Sequence, residues 1–209
     1  MADREEEKVG DRTAIVQAGD PVLRQRARDL SADEIVSAEI QQLVATMRDI
    51  MRAAPGVGLA APQIGRSLRI AVIEDREDYF RGADPAWLEE RGRRPVPFHV
   101  IINPEITVVD PEPVAFFEGC LSIEGWSALV PRARAVRVEC LDEGANRVTI
   151  SASGWYARIL QHEIDHLDGN LYVDRMESRS LTTAANYARH WKDHTADEVR
   201  AALSARKAD

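Results

Sequence analysis

Between Ser37 and Ala54, apolar residues recur at three- and four-residue steps: Ile40, Leu43, Val44, Met47, Ile50 and Met51. That period gathers them on one stripe of a helix with a buried face. Pro55-Gly56 ends it, because proline brings no N–H and clashes with the preceding turn. Farther along, the pattern changes. LRIAVIE (Leu68 to Glu74) reads as a strand. VIINPEITVV, PVAFFEG, ALVPRARAVRVECLD and NRVTISAS follow as strand-like runs parted by turn residues, with Leu141 to Asn146 as a hairpin link. A second helical period appears in Ala157, Leu160, Ile164 and Leu167. Ser153-Gly154 precedes it as a start signal and Gly169-Asn170 follows as a stop.

The remaining stretches are less periodic. DPVLRQRARDL (Asp20 to Leu30) reads as irregular. Asp75 to Phe98 is charged and broken by Gly82, Pro85, Gly92, Pro95 and Pro97, so it reads as an insertion at the surface. The first twelve residues read as a solvated tail, and the chain after Met176 is mostly helix-compatible. Strands in the middle and few helices predict an α+β fold, with mainly antiparallel sheets packed around the second helix.

Composition narrows the functional classes. The 209 residues are 44% hydrophobic, enough for one domain with a core. Lys+Arg total 27 against 35 Asp+Glu, a formal charge of −8, which speaks against broad nucleic-acid binding. From Arg175 to Asp209 seven basic residues stand against five acidic ones, a mixed pattern that reads as a solvated helix closing the domain. No apolar run is long enough to span a bilayer, and MADREEEKVGDR has no apolar signal region. A cytoplasmic location is therefore expected. There, Cys120 and Cys140 would be free thiols or ligands rather than a disulfide.

QHEIDHLDG (Gln161 to Gly169) carries the most specific chemistry. On a helix His162 and His166 share a face and can point at one metal ion, while Glu163 lies beside it as a general base. The chain holds its own control. His190 and His194 in RHWKDH have the same spacing but no glutamate after the first, and they read as solvated. A third ligand is needed. Tyr172 stands where the extended metzincin pattern has a histidine. Glu177, in DRMESRS, is a carboxylate candidate. Cys120, in FFEGCLS, taken alone reads equally as a ligand or a small buried hydrophobe. Gly119 before it and the lack of a better donor weigh toward metal. Cys140, in VRVECLD, reads as a buried hydrophobe.

GVGLAAPQIG (Gly56 to Gly65) is a stretch with little side-chain bulk, in which Gln63 alone offers a donor amide. It lacks the Lys-Ser/Thr of a phosphate cradle. Two readings stand: a tight turn with a helix cap, or a wall beside a substrate with Gln63 polarising a carbonyl.

GVGLAAPQIG, EGCLS and QHEIDHLDG, in that order, resemble the three signature motifs of the peptide deformylase family, and the resemblance runs from roughly Val16 to Met176. ASGWYARILQHE looks more like the organellar-type branch. The resemblance implies a metal-dependent hydrolase that removes the formyl group from the N-terminal N-formylmethionine of newly synthesised polypeptides. It implies that Cys120, His162 and His166 bind one divalent ion, Fe2+ by family expectation, with Zn2+ or Ni2+ as alternatives. Glu163 is then the acid/base, and Gln63 with the Leu121 backbone N–H holds the oxyanion. Gly56, Val57, Gly58, Leu59, Gly119 and Ile159 are expected to contact the substrate, Gly58 along its backbone. The implied partners are N-formylmethionyl nascent peptides, with transient ribosome association, and neither sequence-specific nucleic-acid binding nor a membrane. The implied organisation is a tail (1–12), a catalytic domain (13–176) and a helical extension (177–209). One departure follows EGCLS: Glu124 and Ser127 stand where many members carry proline or arginine, while Arg132 is retained and reads as an ion-pair former. Rival readings are an endopeptidase with Glu177 as third ligand and a non-catalytic binding module.

Overall fold

The computed structural model describes residues 14–54 and 56–205. The expected N-terminal tail, the helix-stopping Pro55 and the last four residues lie outside the described residues.

A capping box at Ser31 starts the short helix α1 (Ala32–Ile35). The long first helix, α2 (Ala38–Ala53), is capped by Ser37 and buries Ile40, Leu43, Val44, Met47 and Met51, the stripe expected from the sequence. The strands are β1 (Gly58–Ala60), β2 (Ile70–Asp75), β3 (Val96–Cys120), β4 (Ile123–Leu141), β5 (Arg147–Ser153) and β6 (Thr182–Thr183). They form one antiparallel sheet ordered β1-β2-β3-β4-β5, with β6 against β4. The remaining helices are α3 (Pro85–Glu90), α4 (Gly154–Leu167), α5 (Ala184–His190) and α6 (Ala196–Ser204). The class is α+β with an antiparallel sheet, as expected. None of the described helices is long and apolar enough to cross a membrane.

The sheet separates two cores. Leu59, Ile70, Val72, Val100 and Ile102 pack with the stripe of α2. Their neighbours Ala60, Ala71, Ile73 and Ile101 face the other way, onto Ala157, Leu160, Ile164 and Leu167 of α4. Alternate residues of β2 thus meet different helices, so the whole strand is buried and its sequence is continuously apolar through Ile73. In this way α4 is clamped along one face while its histidine face stays open.

Four sequence readings need correction. VIINPEITVV and PVAFFEG are one 25-residue strand, β3, which bends where its register to β4 shifts around Pro104, Pro111 and Pro113. Proline cannot donate to a ladder, so it gathers at such irregularities. Asp20 to Leu30 contains a 3₁₀ turn, Pro21–Arg24, capped by the Asp20 side chain, with Leu23 buried. Asp75–Phe98 is not a surface loop throughout: Asp75 is 1% exposed, Arg91 is buried, and Val96 already belongs to β3. Finally, the chain after Met176 includes β6, which pairs with Trp126 and Ser127.

Candidate active site

Cys120 ends β3, and His162 and His166 sit one turn apart on the open face of α4. Their ligand atoms all lie within 4.8 Å of one another. Cys120 Sγ is 3.3 Å from His166 Nε2, and the two imidazole rings are 4.9 Å apart, nearly perpendicular. Usual metal–ligand lengths put two tetrahedral ligands roughly 3.5 Å apart, so the spacing suits donors converging on one ion. One thiolate and two imidazoles are a donor set for zinc or ferrous iron rather than for magnesium or calcium.

Glu118, two residues before Cys120, fixes the proton on His162. Its Oε2 lies 3.0 Å from His162 Nδ1. Burial alone would raise the pKa of this carboxyl. Arg132 and the His162 hydrogen bond outweigh burial and hold it well below the usual carboxylate range. An ionised Glu118 can only accept, so Nδ1–H donates and Nε2 keeps its lone pair for an ion. Glu118 in turn accepts two hydrogen bonds from Arg132 and one from Arg158. Arg132 also reaches Asp165, which Arg175 grips with two hydrogen bonds. The expectation that Arg132 makes a structural ion pair therefore holds. Glu118 escaped the sequence reading although it lies in the quoted motif. The period-two spacing to Cys120 was the available signal, since it puts both side chains on one face of the strand.

Glu163 is 3% exposed and presses against β1. A side chain at Gly58 would overlap its carboxylate, so any larger residue there would force Glu163 to move. Burial pushes the Glu163 pKa up to about 7, against the opposing pull of His162 and Arg132. Its Oε2 has no hydrogen-bond partner. A carboxyl poised near neutrality with a free oxygen can both take and return a proton.

Gln63 is buried in the 3₁₀ turn that follows β1. The Ala60 N–H donates to its Oε1, and its Nε2 donates to Ser122 Oγ and lies 3.6 Å from Cys120 Sγ. The carbonyl end is thus tied down and the donor end faces the Cys120 sulfur. Leu121 lies between them in the β3–β4 turn. Gln17 clamps that turn by donating to the Leu121 carbonyl and accepting from the Glu124 N–H. Ser122 closes the EGCLS motif but was assigned no role from the sequence, and no pattern marked Gln17.

A cleft of about 460 Å³ opens beside these groups. Gly56, Val57, Gly58, Gly119 and Ile159 line it. Leu59 does not: its side chain is fully buried on the α2 side, because alternation along β1 turns it away from Gly58 and Ala60. The structure adds Trp155 and Arg158, which precede His162 on the same stripe of α4. It also adds Ala184 and Tyr187 of α5, the latter 4.8 Å from the Phe117 ring. α5, from the stretch after Met176, therefore forms part of the cleft, which the mixed charges there did not suggest.

The competing ligand is occupied elsewhere, since Arg200 donates to both oxygens of Glu177. His190 and His194 are exposed and flank Trp191. Cys140 is buried in the α4-side core, where desolvation pushes its thiol pKa up to about 11.

Residues 13–181 match the family described as Polypeptide deformylase. The chain is 47% identical over 210 residues to "Peptide deformylase 3" of Streptomyces avermitilis, covering 97% of this chain and 89% of that protein. It is 48% identical over 172 residues to "Peptide deformylase 1A, chloroplastic" of Solanum lycopersicum, covering 82% of this chain and 62% of that protein. Among solved structures, the Met-Ala-Ser-bound class I type b peptide deformylase of Acinetobacter baumannii superposes with a TM-score of 0.68 at 32% identity, covering 78% of this chain and 96% of that one.

Proposed function

The chain belongs to the polypeptide deformylase family, and from that premise we propose that it hydrolyses the formyl group from the N-terminal N-formylmethionine of nascent polypeptides. The convergence of Cys120, His162 and His166 beside Glu163 and the glycine wall carries the reading. These three residues would hold one divalent ion. Fe2+ is the family expectation, and Zn2+ or Ni2+ would suit the same donors. When bound, such an ion supplies Lewis acidity toward the formyl oxygen and makes water a nucleophile at neutral pH.

The side chains divide the remaining work. Glu118 holds His162 in the ligating tautomer. Glu163 takes a proton from the attacking water and returns it to the leaving amine. Gln63 Nε2 and the Leu121 N–H donate to the oxygen on which charge develops, and each such donor is typically worth about 3–4 kcal/mol in the transition state. Gly58 lets the peptide backbone approach, with Gly56, Val57, Gly119 and Ile159 around it. Residues 13–176 form the catalytic body and 177–209 an extension that lends α5 to the cleft. The setting is the cytoplasm, where formylated chains emerge, with at most transient ribosome contact and no base-specific contact to nucleic acid.

At Gly58, Glu163 already fills the space a side chain would take. A formyl carbon carries only hydrogen, whereas an acetyl group adds a methyl. Formate release from formyl-Met-Ala-Ser should therefore far exceed acetate release from acetyl-Met-Ala-Ser in protein loaded with Fe2+, Ni2+ or Zn2+. No formate with any of the three ions would overturn the function, and equal rates would overturn the steric argument.

A further inference from the structure

Three arginines and three aromatic rings close into a cycle behind the cleft. Arg91 stacks between Trp87 and Phe116, with its guanidinium carbon 4.2 and 4.6 Å from the ring centres. Arg158 lies between Phe116 and Trp155 at 5.2 and 5.9 Å. Arg93 completes the circuit between Trp155 and Trp87 at 5.4 and 5.8 Å. Every cation is pinned at its edge. Asp75 takes two hydrogen bonds from Arg93. Glu118 and the Val130 and Val114 carbonyls hold Arg158. Glu90 and the Trp87 carbonyl hold Arg91. With their edges fixed, the guanidinium planes serve as faces, and a flat cation packs on a ring in a way a lysine cannot.

Trp87, Arg91 and Arg93 belong to the segment that enters the chain between β2 and β3, while Trp155 and Arg158 are walls of the cleft. Backbone contact reinforces the link. A Cβ at Gly154 would come within 2.8 Å of the Arg91 carbonyl oxygen, so the start of α4 rests directly on residues 91 and 92.

We propose that Trp87, Arg91 and Arg93 are specificity-determining positioning residues: by closing this ring they fix the Trp155–Arg158 wall, and with it the length and breadth of the first substrate side chain the cleft accepts. The segment touches neither the reacting atoms nor the metal-ligating side chains. Loosening it should let the wall yield, so that shorter and broader side chains are less penalised while proton transfer at Glu163 is unchanged. This inference rests on the deformylase reading for its substrate, and its test includes a binding arm that does not depend on turnover.

The variants are Arg91→Lys/Arg93→Lys, which keeps both charges but loses two planes of the stack, and Trp87→Leu, with Trp87→Phe as the conservative control. Formyl-Met-Ala-Ser is compared with formyl-Ala-Ala-Ser and formyl-Phe-Ala-Ser. The preference for methionine should fall about tenfold in kcat/KM, the low end of what one methylene is worth in a formed apolar pocket. The change should appear in KM with kcat nearly constant, metal content should stay at the wild-type level, and Trp87→Phe should restore the preference. Calorimetric binding of the products Met-Ala-Ser and Ala-Ala-Ser should show the same loss of discrimination. Folded, metal-loaded variants with wild-type preference in both arms would overturn the proposal. So would a parallel loss of kcat and metal with preference intact, which is the signature of a merely structural ring. Preferential Met-Ala-Ser binding by a wild-type protein that releases no formate would instead overturn the functional reading and leave the wall standing.

Discussion

Glu118 and Glu163 show how identical side chains take opposite parts through their neighbours. The first is surrounded by Arg132, Arg158 and His162 and stays ionised as an acceptor. The second has a buried oxygen with no hydrogen-bond partner and sits near neutrality. Glu163→Gln should therefore retain the metal, measured by elemental analysis, while turnover drops about 10²–10⁴-fold through lost proton transfer; loss of metal would place Glu163 in the ligand shell instead. Cys120→Ser should fold yet lose most metal affinity, because a hydroxyl near neutral pH is a far poorer ligand than a thiolate; wild-type occupancy would remove Cys120 from the ligand set. At this scale most of the site was legible. His162, Glu163 and His166 follow from helical spacing, and Cys120 from its setting. Glu118 and Ser122 were not: only its period-two spacing to Cys120 hints at Glu118, and what gives each its role is a partner across the sheet or on another element.

The stripe of α2 and the hairpin at Leu141 to Asn146 were readable because each obeys one local period and ends on a recognised stop. β3 was not readable as one strand, because three prolines interrupt its alternation while the ladder simply shifts register around them. The 75–98 segment misled for a different reason. Its charges look solvated in sequence, yet Asp75 and Arg93 neutralise each other and the arginine faces cover aromatic rings. The same holds for α5, whose Tyr187 reaches the cleft from a stretch that reads as a closing helix. Truncation after Leu181 would remove that wall along with β6. Steady-state kinetics on a short formyl peptide should show a several-fold rise in KM and a smaller change in kcat; an unchanged KM would return the extension to a purely peripheral role.

Across the described residues, one sheet serves two large cores and a smaller one around Ala128, Val130 and Tyr172, and leaves the histidine face of α4 turned toward the β3–β4 turn. The ligands thus meet only in the folded chain, and an ion bound there stabilises the fold by mass action, about 2.7 kcal/mol at a hundredfold excess over Kd. Stripping the metal with a chelator should lower Tm by about 5–10 °C for a protein of this size, with recovery on reloading. Scanning calorimetry of wild type and Cys120→Ser decides this: the variant should ignore both chelator and metal, and an identical response would mean the ion binds elsewhere.

Cys120 and His166 are 46 positions apart, and between them β4 pairs with β3 and β5 with β4 before α4 turns back across the sheet. Contacts of such long sequence separation are slow to form. The proposed metal centre can close only once these long-range pairings have formed. Synthesis runs from the N-terminus, so the thiol leaves the translating machinery well before its imidazole partners do. Occupancy of the proposed centre would then report a completed sheet.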